Sequence, residues 1–252
     1  MVKYKHIIKA IEEDINKSHQ HLLLPKTVRG AFNKFHEQTC GKKIRRTEKA
    51  GMYDENGNEI FTKNGGKHSV SWGLSVIPNL YDEHGYLHIT HNHPKYSHEY
   101  QPEVLSWADV DVLFTRHMPY GIRPDGSEGY LDEVFPVKSV SCETADGSRM
   151  SLIRGDKFKY EDANKVHRLC EKLEEYHGDY VAKYYKLQAD YFDKYHSEDF
   201  NNWNEYSKFI HNKVINDIGV YERNPEFKEI QKEIREYNCR LEYTRPYDKM
   251  EW

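Results

Sequence analysis

In the stretch Tyr86-Leu87-His88-Ile89-Thr90-His91-Asn92-His93-Pro94 two imidazoles stand at i and i+2. Along an extended strand successive side chains alternate, so Leu87, Ile89, His91 and His93 share one face while His88, Thr90 and Asn92 share the other. His91 and His93 therefore converge like neighbouring ligands of one metal ion, and Pro94 ends the strand just beyond them. A carboxylate is available in Asp109, one turn into a helix that starts at Ser106. Two His and one Asp suit Zn²⁺, and three protein ligands leave a fourth position for water, the arrangement of a catalytic rather than a structural site. Asp111 is the nearest substitute, but two residues along a helix turn it about 200° from Asp109, so both cannot face one ion. A His-x-His pair is weak evidence by itself in a chain with 15 His. The run His91-Asn92-His93 also does not make an HNH nuclease, whose three residues are spread over a ββα unit.

His91-Asn92-His93-Pro94 followed by Ser106-Trp107-Ala108-Asp109 resembles the H-x-H-P…S-x-x-D signature of the JAB/MPN metalloproteases, the JAMM motif, with a spelling closest to the RadC-like and phage-associated bacterial branches. That family also carries a Glu on or just before an early strand. Arg46-Thr47-Glu48, followed by Met52-Tyr53-Asp54, is similar to this element, which makes Glu48 the candidate over Glu55, in a turn, and Glu59, on the return strand. The resemblance covers residues 42–155 and implies a JAB/MPN-like (cytidine-deaminase-like) mixed sheet with flanking helices. It implies Zn²⁺ held by His91, His93 and Asp109, with Glu48 as general base and then acid and Ser106 stabilising the oxyanion. It further implies hydrolysis of a peptide or isopeptide bond in a protein or peptide substrate. Lys95 to Leu105 separate Pro94 from Ser106, longer than the family's usual spacing, so an enlarged loop must bulge before the helix. That loop and the C-terminal helices are the expected sources of selectivity. Two other classes compete: a non-catalytic structural or interaction protein, such as a phage-associated scaffold, and a RadC-like DNA-associated protein. His88 and His98 are read as surface or supporting residues rather than ligands.

The elements that must position these groups can be read from periodicity. Ile7, Ile8, Ile11 and Ile15 recur at helical spacing from Lys3 to about Leu24, and a second helix fits Thr27 to His36. Ala50 to Asp54 and Glu59 to Lys63 flank Glu55-Asn56-Gly57-Asn58, a hairpin signal because Asn and Gly tolerate positive φ. Strands are expected at His68 to Val76 and Tyr86 to His93, a helix from Trp107 to His117 behind a Ser106 N-cap, and a second hairpin from Phe135 to Cys142 and Met150 to Ile153. This is an α+β pattern with a largely antiparallel sheet. After Gly155 the texture turns charged and Tyr-rich. Val166, Leu169, Leu173, Tyr176, Tyr180, Tyr184, Leu187 and Tyr191 form the buried stripe of a long helix, followed by helices at Trp203 to Ile218 and Phe227 to Leu241. The expectation is three parts: N-terminal helices over 1–40, a metal-binding domain over 41–155 and a helical hairpin or small bundle over 156–252. A coiled-coil dimer or a protein-docking arm is the alternative use of the last part.

Composition narrows the class. Leu, Ile, Val and Phe make up 53 of 252 residues, a lean core, yet a net charge of −4 does not support disorder. With 37 basic and 41 acidic side chains there is no cationic excess for nucleic acid, and Lys42, Lys43, Arg45 and Arg46 read as a solvated loop. No apolar run is long enough for a membrane span, and the N-terminal segment carries acids where a signal peptide needs an apolar stretch. Cys40, Cys142, Cys170 and Cys239 lie far apart with no CxxC pair, which suggests reduced thiols in a cytoplasm; the resemblance implies that of a bacterium or a phage-infected host, or association with a virion.

Overall fold

The computed structural model describes residues 22–40, 47–66, 70, 75–93, 105–144 and 148–244. The hairpin strands β1 (Lys49–Tyr53) and β2 (Glu59–Asn64) form where the alternation and the Asn-Gly turn place them. Asp54 Oδ1 accepts from the backbone N–H groups of Asn56 and Asn58 at 2.9 and 2.8 Å, closing the turn on itself. Gly57 takes φ +78° there, and a Cβ would come within 2.6 Å of the Thr27 carbonyl oxygen, so this turn packs too tightly for any side chain.

β1 pairs antiparallel with β3 (Leu87–His93), β3 parallel with β6 (Val137–Thr144), β6 antiparallel with β7 (Arg149–Arg154), and β7 antiparallel with β8 (Cys239–Thr244). The sheet order is β2-β1-β3-β6-β7-β8, with β3–β6 the one parallel pair. A separate two-stranded hairpin, β4 (Tyr120–Ile122) and β5 (Glu128–Tyr130), was not expected from the pattern. Its strands have three residues each, too short for periodicity to register.

Helix α1 (Lys26–Thr39) covers one face, burying Val28, Phe32 and Phe35 against Tyr53 and Ile153. Helix α2 (Val76–His84) precedes β3, and α3 (Trp107–Leu113) follows it. The opposite face, with Met52, Ile89, Val140, Leu152 and Leu241, shares one apolar core with α3, with the long α4 (Ala163–Lys194) and with α6 (Pro225–Glu236). Between the last two lies α5 (Trp203–Ile218), packed on α4 as a helical hairpin.

The tyrosine stripe of α4 is core, as its spacing indicates, with each hydroxyl given a partner. Tyr176 and Tyr180 donate to the carbonyls of Tyr221 and Gly219 at 3.0 and 2.8 Å, and Tyr184 pairs with His211 Nδ1 at 2.8 Å. Burial raises the Tyr184 hydroxyl well above its ordinary pKa, so it stays protonated for that contact.

Several expected boundaries move. The helix from Trp107 stops at Leu113, not His117, because His117 forms an isolated bridge to Val134. Val76 opens a helix rather than ending a strand; Pro78 is accommodated in that helix's first turn, where its missing N–H costs nothing. The expected His68 to Val76 strand lies mostly outside the described residues, as do the first helix up to residue 21 and the Lys42 to Arg46 cluster.

The helix expected from Phe227 to Leu241 ends at Glu236. Asn238 turns the chain at φ +53°, and Cys239, Leu241 and Tyr243 alternate as strand β8. The boundary expected at residue 155 is therefore crossed by the sheet itself, since β8 hydrogen-bonds β7 from Arg149 to Arg154. No helix among the described residues is long and apolar enough to cross a membrane.

Candidate metal centre

β3 lies inside the sheet, and its register sets the site. His91 stands opposite Ala50 on β1 and opposite Cys142 on β6. All three sit on the face that carries Met52, Ile89 and Val140, since they are two residues along each strand. The His91 and His93 Nε2 atoms are 2.9 Å apart and their ring centroids 4.8 Å apart. Two ligand nitrogens on one tetrahedral ion, with bonds of about 2.05 Å, would be separated by about 3.3 Å, so a small opening of the pair admits the ion. His91 is buried and His93 half-buried, which leaves the site reachable from the His93 side.

Asp109 is held by its own helix start. Ser106 is the N-cap of α3: its backbone N–H and its Oγ–H both donate to Asp109 Oδ2 at 2.7 Å, while Asp109 N–H donates to Ser106 Oγ at 3.4 Å. This reciprocal capping box uses one carboxylate oxygen and leaves the other, Oδ1, 3.5 Å from His91 Nε2. The task the structure gives Ser106 is the orientation of Asp109. Asp111 is turned away as the helical geometry requires, with Oδ1 3.0 Å from His167 Nε2 on α4. The same helix grips the start of α3 elsewhere. The Trp107 ring stacks on His167 at 4.1 Å, and Glu174 accepts a hydrogen bond from the Trp107 backbone N–H. Burial, then the Glu171 charge, raises the Glu174 carboxyl above its usual range despite that bond.

Glu48 is buried, with 8 % of its surface exposed, whereas Glu55 and Glu59 are exposed in the turn and on the outer strand. Continuing the β1–β3 register by two residues from the Ala50–His91 pair places Glu48 opposite His93. Its backbone is fixed by Glu48 N–H to the Gly66 carbonyl at 2.9 Å and Gly65 N–H to the Glu48 carbonyl at 2.8 Å. His88 lies on the reverse face from His91 and His93, Nδ1 2.8 Å from Ser139 Oγ; His98 and most of the loop 95–105 lie outside the described residues.

Two features of the site were not read from the sequence. The first is Cys142: its Sγ and the ring nitrogens of His91 and His93 all lie within 4.8 Å of one another, the group among the described residues with the spacing to hold a metal ion. The second is a buried polar cluster directly behind it. Glu143 Oε1 accepts from Arg149 Nε at 2.5 Å and from Thr90 Oγ1 at 3.2 Å, His36 Nδ1 is 3.4 Å from its Oε2, and Arg149 reaches Asn33 at 3.0 Å. Thr90 and Glu143 flank His91 and Cys142, so this cluster locks the β3–β6 register that sets those two side by side. A cysteine in a strand-like run carries no sign of its neighbour; only the parallel pairing reveals it.

Two imidazoles and a thiol form a donor group suited to a borderline divalent ion such as Zn²⁺, while the expected third ligand, Asp109, lies outside that group and approaches His91 alone at 3.5 Å. No family model matches this chain, and no curated protein or solved structure matches it either.

Proposed function

We propose that the protein is a zinc-dependent hydrolase of the JAB/MPN (JAMM) type that cleaves a peptide or isopeptide bond. The observation that supports it is the convergence, on one buried sheet position, of the His91–His93 pair with an Asp109 carboxylate held by a Ser106 capping box.

His91 and His93, with Asp109 beside them, would hold a Zn²⁺ ion, which would supply Lewis acidity for activating a water and polarising an amide carbonyl. Glu48, opposite His93 and shielded from bulk solvent, takes the proton of the attacking water and returns it to the leaving amine, one carboxylate acting as base and then as acid. Ser106 Oγ keeps Asp109 aimed at the ligand cluster; to stabilise an oxyanion it would turn its one hydroxyl proton from Asp109 Oδ2 to the substrate oxygen. The partner is then a protein or peptide substrate. Helix α4 steadies the site through α3, and α4 with α5 would offer a surface for a partner protein.

The test is metal analysis of protein purified without chelator. Close to one zinc per chain is expected, lost in His91→Ala and His93→Ala while the helical circular-dichroism signal persists. A fully loaded His93→Ala variant would remove the site assignment.

A further inference from the structure

We infer that Cys142 supplies a thiolate ligand to the metal held by His91 and His93, a ligand outside the set implied by the JAMM resemblance. The inference rests on the metal-binding reading above but not on hydrolysis. Three observations carry it. First, Cys142 is the direct parallel-strand neighbour of His91, so their side chains leave the sheet on the same face, from strands about 4.8 Å apart. Second, the sulfur and both imidazoles lie within 4.8 Å of one another, and a tetrahedral site with bonds of about 2.05 Å to nitrogen and 2.3 Å to sulfur needs separations of about 3.5 Å. Side-chain rotation of about 1 Å closes the difference. Third, the neighbours are fitted to keep this geometry: Ala50, the small residue opposite His91 on the other side, leaves room beside the ring, and the buried Thr90–Glu143–Arg149 cluster fixes the register.

The step balances simply: the thiol proton is released to solvent as the sulfur–metal bond forms. A thiolate makes the centre softer than two histidines and a carboxylate alone, favouring Zn²⁺, Co²⁺ and Cd²⁺ over Mg²⁺ and Mn²⁺. It also has a consequence for chemistry. With His91, His93 and Cys142 as the protein donors the fourth position would stay open to a water; were Asp109 drawn in as well, a water would enter only by displacing a donor or by expansion to five ligands.

The test uses the full chain, stripped with chelator and titrated with Co²⁺. The expected result is one equivalent bound, with a near-ultraviolet sulfur-to-cobalt charge-transfer band that is absent from Cys142→Ser and Cys142→Ala. These variants keep the wild-type circular-dichroism spectrum and bind the ion more weakly through the remaining donors. X-ray absorption of the zinc-loaded wild-type protein, which needs no variant, should show a sulfur scatterer at about 2.3 Å. One cobalt lost in His91→Ala but bound without the band, or a band that survives in Cys142→Ser, overturns the thiolate ligand and leaves the hydrolase reading standing. No cobalt bound at all overturns both.

Discussion

The side-chain oxygen of Asn92 accepts a hydrogen bond of 2.6 Å from the backbone N–H of Lys49. Asn92 is the residue between the two candidate histidines, and Lys49 follows Glu48. The bond therefore ties the strand that carries the ligands to the point where the candidate base enters the sheet, from the face opposite the metal. Asn92 is fully buried, so this link is shielded from competing water.

That tie bears on Glu48→Gln. The amide keeps the size of the side chain and can still hydrogen-bond a water, but it cannot take a proton. Zinc content should stay at the wild-type level while turnover of peptide and isopeptide-linked substrates falls by about 10²- to 10⁴-fold. The same change at Glu55 or Glu59, both exposed, should do little. Full activity in Glu48→Gln at equal zinc occupancy would move the base elsewhere.

Ser106→Ala removes the hydroxyl that both caps α3 and holds Asp109 Oδ2. Loss of an N-cap side chain costs about 1 kcal/mol. Beyond that cost, the carboxylate keeps only the Ser106 backbone N–H and is freer to swing from His91, so zinc affinity measured by competition with a chelator should weaken. Ser106→Thr, which keeps the hydroxyl, should restore most of it. Unchanged affinity in Ser106→Ala would separate the capping box from the metal.

His88 makes stability depend on pH. Burial, reinforced by the nearby Lys138 charge, drives its pKa down from 6.5 to about 4. Between those values the unfolded chain binds a proton that the native ring refuses. The native state is thus fully favoured above about pH 6.5 and loses up to about 3 kcal/mol as the pH falls toward 4. Urea unfolding of chelator-treated protein at pH 7 and pH 4.5 should show this loss, and His88→Asn should show a smaller one. An equal pH dependence in the two proteins would place the effect at other groups.

Truncation after Arg154 should not leave a folded domain. It removes β8 and uncovers the β7 edge from Arg149 to Arg154. It also removes Val166, Leu169, Leu173, Phe227, Ile230, Ile234 and Leu241 from the shared core. At about 1.5–3 kcal/mol for each buried side chain, that loss matches or exceeds the roughly 5–15 kcal/mol net stability of a domain. The fragment is expected to be insoluble or to lose its cooperative thermal transition; a soluble fragment with a sharp transition would show that residues 22–154 carry a self-sufficient core.

Much of the candidate site's geometry was legible because it is local. His91 and His93 share a face by strand alternation, and Ser106 and Asp109 meet by helical geometry three residues apart, so both pairings follow from short-range backbone periods. The tyrosine stripe of α4 was legible for the same reason, with the hydroxyl partners on the α5–α6 connection supplied by the fold. At the C-terminus the periods misled, because Phe227, Ile230 and Ile234 run in helical phase up to a turn at Asn238, after which Cys239, Leu241 and Tyr243 alternate over too few residues to stand out.

By itself the sequence determined that this is an α+β chain, where its main strands and helices lie, that one strand sets two histidines side by side, and that Ser106 caps a helix whose Asp109 carboxylate it holds. The tertiary structure alone decided that β3 and β6 run parallel with His91 beside Cys142, that Glu143 and Arg149 bury an ion pair behind them, and that β8 returns from the far end to complete the sheet. The physical reason is the range of the interactions. Alternation and helical phase are set by neighbouring φ and ψ angles and are written in adjacent residues. Strand order and register are set by which distant apolar faces and buried charges satisfy one another once the whole chain has closed.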